Sequence, residues 1–151
     1  MKNKFTIPLF AFIVLVLTWV YFLINPSYQK SIKAKYYYET SSYKEAYKLA
    51  SEAFAIDIYN RMASTIMAQS KTSLKYVDYI NDAKKYMKQI DEIAKHETLT
   101  DADKAKMRLI CQVMIDSYVK LAPSVITDID LVDEASTYYY NFEKLLDKVT
   151  K

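Results

Sequence analysis

The chain opens with a stretch from which polar positions are nearly absent. Residues 5–24 read FTIPLFAFIVLVLTWVYFLI, with no charged side chain. A helix of that length spans roughly 30 Å, the hydrocarbon thickness of a bilayer. Trp19 and Tyr21 stand near its far end, where an interfacial aromatic belt belongs. Asn25-Pro26 closes it, because proline disfavours helix in the residue before it. Pro8 falls in the first turn, where its missing N–H costs little. A cleaved signal peptide would carry a shorter apolar run, about 7–15 residues, and a small-x-small exit. The exit here is LINPSYQ, so the pattern favours an uncleaved anchor.

Beyond residue 26 the pattern changes to helical spacing. The stretch 27–39 places Ile32, Tyr36 and the Tyr37–Tyr38 pair on one stripe. Thr40-Ser41-Ser42 is a polar break. A second helix over 43–56 carries Ala46, Leu49, Ala50, Ala53 and Phe54, and 57–60 reads as a turn. A third helix is predicted over 61–74, with Met62, Ile66, Met67 and Ser70 on one side. A fourth over 79–95 carries Ile80, Ala83, Met87, Ile90 and Ala94. Thr100 can cap a fifth helix from Asp101, whose acidic first turn suits the helix dipole. Its stripe is Met107, Ile110, Cys111, Met114, Tyr118 and Leu121, and Pro123 ends it. A sixth, over 129–149, buries Leu131, Ala135, Tyr138, Phe142, Leu145 and Val149. The expected fold is therefore all-α: an N-terminal transmembrane helix followed by antiparallel helical hairpins.

Composition narrows the picture. The chain has no glycine and three prolines. Without glycine, tight two-residue β-hairpins and Gly-rich phosphate loops are excluded. Lys2 and Lys4 take two of the 21 basic residues into the tail, leaving 19 against 18 acidic ones, a body of net +1. That balance offers no electrostatic footprint for nucleic acid. Lys30, Lys33 and Lys35 flank the other side of the span, so charge counts alone leave orientation open. A short tail before an uncharged span is the usual form of a signal anchor. The expected organisation is 1–25 as cytoplasmic tail and anchor, and 26–151 as an extracytoplasmic helical domain.

Little in the chain carries chemistry. His96 is the single histidine, and Glu92, Glu97, Asp101 and Asp103 lie near it without a second histidine or cysteine. It reads as a linker residue. Cys111, the one cysteine, falls within an apolar stripe, where a thiolate would be costly. Asp91-Glu92 and Asp133-Glu134 lie on polar helix faces. No catalytic residue, metal or cofactor is expected. Fourteen of the 15 tyrosines lie in the body, and the triplets at 36–38 and 138–140 cannot all face a core.

Residues 27–60 resemble one tetratricopeptide repeat, a helix–turn–helix unit of 34 residues. Ala34 stands at the small position of the first helix and Tyr37 at its aromatic position. Tyr43 and Ala46 match the opening of the second helix, and Ala53-Phe54 with Ile56-Asp57 its close. Ser41-Ser42 replaces the usual Gly-Asp turn, and Ile58 the closing proline. A weaker copy over 61–94 uses Ala68, Ala83 and Ile90 and requires a turn within 72–79. The resemblance implies a peptide-binding concave face. On this chain that face would hold Tyr28, Ser31, Lys35, Tyr38 and Glu39, with Thr65, Gln69 and Thr72 from the weaker copy. The implied function is non-catalytic protein–protein interaction in the cell envelope, with an unidentified envelope protein as partner. The alternative is an extracytoplasmic ligand-sensing bundle acting with a partner membrane subunit.

Overall fold

The structure is a computed structural model that describes residues 6–96, 98–122 and 127–150. It is all-helical: α1 (Thr6–Ile24), α2 (Pro26–Glu39), α3 (Tyr43–Ile56), α4 (Arg61–Ala94), α5 (Asp101–Val119) and α6 (Ile129–Thr150). Lys2, Lys4 and the stop expected at Pro123 lie outside the described residues.

α1 is the one described helix long and apolar enough to cross a membrane. Its window Ile7–Ile24 has a mean hydropathy of 2.6 and no buried residue. Asn25-Pro26 both closes α1 and opens α2. The Asn25 side chain accepts from the N–H groups of Ser27 (2.9 Å) and Tyr28 (3.4 Å), while Pro26 takes a first-turn position where no N–H is needed.

One expected boundary is absent. The break predicted within 72–79 does not form, and α4 runs unbroken through it. The expected third and fourth helices are one. The segment TSLKYVDY contains no glycine or proline to interrupt the backbone ladder. The break was drawn between the stripes over 61–74 and 79–95, and the repeat length asks for a turn there too, but no local residue supplies one. The chain groups into two compact units, Met1–Lys71 and Thr72–Lys151.

In the first unit α2 and α3 form a helical hairpin. Its interface is built from small side chains: Ala34, Ala46, Ala50 and Ala53 are fully buried. Alanine at a helix contact lets the axes come to the short end of their usual separation, 8–10 Å. Ile66 of α4 completes this cluster, with Tyr38, Leu49 and Met67 packed around it. The stripe expected on α2 forms only in part: Ala34 is buried and Tyr38 packs against the cluster. Ile32 and Tyr36 are exposed, at 58% and 64%, whereas Ser27 and Ser31 are fully buried. The reason is a polar network. Asn60 Nδ2 donates to Ser27 Oγ (2.8 Å) and Ser31 Oγ (2.9 Å). Ser27 Oγ donates to the Ala53 carbonyl (2.8 Å), and Ser31 Oγ to the Ser27 carbonyl (2.9 Å). Asn60 Oδ1 accepts from the Ala63 N–H (3.1 Å), so one side chain caps α4 and ties it to α2.

The second unit has a bulkier core. Tyr76, Tyr79, Ile80, Ala83, Ile90 and Ile93 of α4 meet Met107, Ile110, Cys111 and Met114 of α5 and Ala135 and Phe142 of α6. Most of the predicted stripes are there. Ala94 is exposed, and Ile93 takes the buried place. Thr100 caps α5 through a complete capping box: its Oγ1 accepts from the Asp103 N–H (3.1 Å), and Asp103 Oδ2 accepts from the Thr100 N–H (3.1 Å). Those bonds from Thr100 hold the Asp103 carboxyl below the usual carboxylate range. Arg108 of α5 donates to the Val149 carbonyl near the end of α6 (3.0 and 3.2 Å). Lys84 pairs with Glu134 at 2.9 Å, which raises the lysine's pKa.

Candidate protein-binding groove

A cavity of the first unit lies between α2 and the start of α4. It encloses about 430 Å³ and is lined by Lys35, Tyr38, Glu39, Arg61, Met62, Thr65, Ile66 and Gln69. Helical spacing places them together. Lys35, Tyr38 and Glu39 are neighbours at i, i+3 and i+4 on α2. Arg61, Thr65 and Gln69 recur every four residues along α4, as do Met62 and Ile66. Ile66 forms a buried floor, 4% exposed, beside the half-buried Tyr38. Tyr38 is held edge-on by Tyr43, with ring centroids 5.5 Å apart.

The groove is amphipathic. Lys35 and Glu39 pair along one wall at 3.6 Å, both well exposed. A surface pair of this kind contributes little to stability and leaves both groups open to other partners. Arg61 has no carboxylate within 4.0 Å among the described residues. A second hollow of about 400 Å³ shares Arg61 and Thr65 and adds Ile58, Tyr59 and Ser64.

Five of the eight residues expected on a concave face line this groove: Lys35, Tyr38, Glu39, Thr65 and Gln69. The other three do not. Ser31 is fully buried in the Asn60 network and is not available at a surface. Tyr28 is half-buried beside α1, its ring meeting Phe22 edge-on at 4.8 Å. Thr72 is half-buried and groups with the second unit. The sequence reading missed Arg61 as a wall residue and placed Met62 and Ile66 on an inward stripe. The signal was present: Arg61 lies one helical turn before Thr65, on the stripe that also holds Gln69.

Titratable groups elsewhere do not assemble into a centre. Among the described residues no three His, Cys, Asp or Glu side chains lie together. His96 Nδ1 is 3.4 Å from Asp103 Oδ2, and that carboxylate belongs to the capping box of α5. Cys111 is fully buried among apolar side chains, and burial pushes its thiol pKa up. Tyr79 Oη is buried without a hydrogen-bond partner among the described residues, and burial raises its pKa beyond the ordinary phenol range. No protein-family model, curated protein or solved structure matches this chain.

Proposed function

We propose that this protein is a membrane-anchored, tetratricopeptide-like adaptor that binds a polypeptide segment of an envelope protein in the groove between α2 and α4, without catalysis. The observation that carries the reading is the groove's lining. An apolar floor of Tyr38, Met62 and Ile66 is flanked by the polar side chains of Thr65 and Gln69 and by Arg61, which has no carboxylate within 4.0 Å among the described residues. Such a surface suits one apolar side chain seated on the floor, with an acidic group of the same segment facing Arg61. The turn between α2 and α3 supports the repeat-like character. Ser41 adopts a left-handed conformation (φ 59°), where the repeat carries glycine. The body stands outside the cytoplasm, with α1 as a signal anchor.

The test is site-specific photo-crosslinking in native membranes. A photoreactive residue replaces Thr65 in the groove or, as a control, the exposed Lys48 on α3. The expected result is one envelope protein joined at position 65 and not at 48. That product should be lost when Lys35, Tyr38 and Gln69 are changed to alanine. Identical products from both positions, or an unchanged product in the triple variant, would sink the proposal.

A second reading has its own observation. The groove's volume lies within the range of small-molecule sites, roughly 300–1,000 Å³, and Tyr38 and Met62 line it. A ligand-sensing domain signalling through a partner membrane subunit would then show a higher unfolding temperature with a small molecule. The same triple variant would abolish that shift.

A further inference from the structure

Beyond α1, three large apolar side chains stand exposed close together at the end of α3 and in its connection to α4. Ile56 is 51% exposed, Ile58 62% and Tyr59 85%. A short turn that shows three large apolar groups to water is unusual unless something covers it. The polar network fixes where this turn lies. Asn60 donates to Ser27 at 2.8 Å, and Ser27 in turn donates to the Ala53 carbonyl. The turn is therefore clamped against the first turn of α2. Ser27 stands three residues beyond Ile24, the last residue of α1, which at 1.5 Å per residue is about 5 Å along a helix. The headgroup layer on each side of a bilayer is about as thick, since roughly 30 Å of hydrocarbon grows to 40–45 Å with headgroups. This proximity follows from the clamp and not from the angle between α1 and α2.

We propose that Ile56, Ile58 and Tyr59 enter the lipid interface beside α1, as a second membrane contact that holds the groove at a fixed height over the bilayer. The inference rests on α1 spanning the membrane. Continuity with that span selects lipid as the occupant. Tyr59 suits that place, since tyrosine favours the depth where its ring is apolar and its hydroxyl wet. Two backbone donors of the turn are satisfied within it. The Tyr59 N–H donates to Asp57 Oδ1 (2.9 Å), and the Asn60 N–H to the Asp57 carbonyl (3.1 Å). Its apolar side chains can therefore enter the interface without stranding those backbone donors.

The experiment uses the full chain in phosphatidylcholine–phosphatidylglycerol vesicles and lipids brominated near the headgroup. Trp19, the single tryptophan, reports on the anchor. In a Trp19→Phe background, Tyr59→Trp reports on the turn. The expected result is loss of most of the Tyr59→Trp emission to brominated lipid, with shielding from aqueous iodide. An Ile56→Asn, Ile58→Asn pair should reverse both effects while circular dichroism shows the fold retained. An unquenched Tyr59→Trp probe overturns the inference. If Trp19 is quenched in the parent chain, only the turn contact falls. If Trp19 is also unquenched, the anchor reading falls with it. Shielding from iodide without quenching by lipid would also overturn it, because protein and not lipid would then cover the turn.

Discussion

The two units solve the same packing problem with opposite materials. The first joins its helices through alanines and a buried Ser–Asn network, with Ile66 as the one large buried aliphatic side chain among its described residues. The second uses volume, with Phe142, Met114, Tyr76 and several isoleucines interlocking across three helices. A core of bulk is specified by apolar area, which is non-directional. A core of alanine and serine is specified by hydrogen-bond geometry and close approach, which admit fewer alternatives. The first unit therefore reads as a positioning device. It aligns α2 against α3 and the start of α4, and these elements carry the groove.

That contrast predicts where truncation costs most. Phe142→Ala removes the largest apolar side chain that is fully buried in the second unit. It should destabilise that unit by about 3–5 kcal/mol. Hydrogen exchange in detergent-solubilised chain would show faster exchange for α5 and α6, while α2 and α3 keep their protection. Uniform loss across both units would mean that the two cores unfold as one, and the contrast would lose its energetic meaning.

The first unit should break at a hydrogen bond. Asn60→Ala removes the cap of α4 and leaves the Ser27 and Ser31 hydroxyls without their donor. The lost cap costs about 1 kcal/mol, and each hydroxyl left poorly satisfied adds on the order of 1 kcal/mol. The expected total is about 2–3 kcal/mol, and a chemical unfolding curve for the first unit reads it directly. The triple change Asn60→Ala, Ser27→Ala, Ser31→Ala should recover part of that loss, since it removes the stranded hydroxyls along with the donor. A triple variant worse than the single one would show that the serines act through something other than this network.

The same contrast explains how much was legible. The second unit follows binary patterning, and its core residues Ile80, Ala83, Met107, Cys111, Ala135 and Phe142 could be read from 3.6-residue spacing. The cap at Thr100 was legible too, because capping uses recognisable residue types. On α2 the method failed in part. It assigned Ile32 and Tyr36 inward, yet Ser27 and Ser31 are the buried positions. Hydrophobicity cannot mark a helix face whose partner is the side chain of Asn60, 33 residues from Ser27. The error passed to the candidate site, where Ser31 was expected on an open face. The continuity of α4 was hidden for another reason. The apolar stripes were divided at 74 and 79, and the repeat length asked for a turn there, although local sequence offered no breaker. Lys35, Tyr38 and Glu39 line one cavity, and that grouping needed only spacing on one helix.

The smallest predicted effect concerns the turn at the far end of the α2–α3 hairpin. The Ser42 N–H donates to the Tyr37 carbonyl (2.8 Å) and the Ser41 N–H to the Tyr38 carbonyl (3.1 Å), which closes α2 with a Schellman pair. That closure requires a left-handed residue, and Ser41 supplies it at φ 59° in a chain without glycine. For a residue with a Cβ this conformation costs about 1–2 kcal/mol. Ser41→Gly removes the clash but adds freedom to the unfolded chain, so the net gain should be no more than about 1 kcal/mol. Unfolding of the full chain in detergent should shift to higher denaturant with an unchanged slope, and α2 and α3 should gain protection from exchange. A loss of stability would mean that the Ser41 side chain holds the turn by a contact stronger than the strain it carries. The α2–α3 connection would then not be an ordinary glycine-type turn with the wrong residue in it, and the repeat-like reading of 27–60 would lose its main local support.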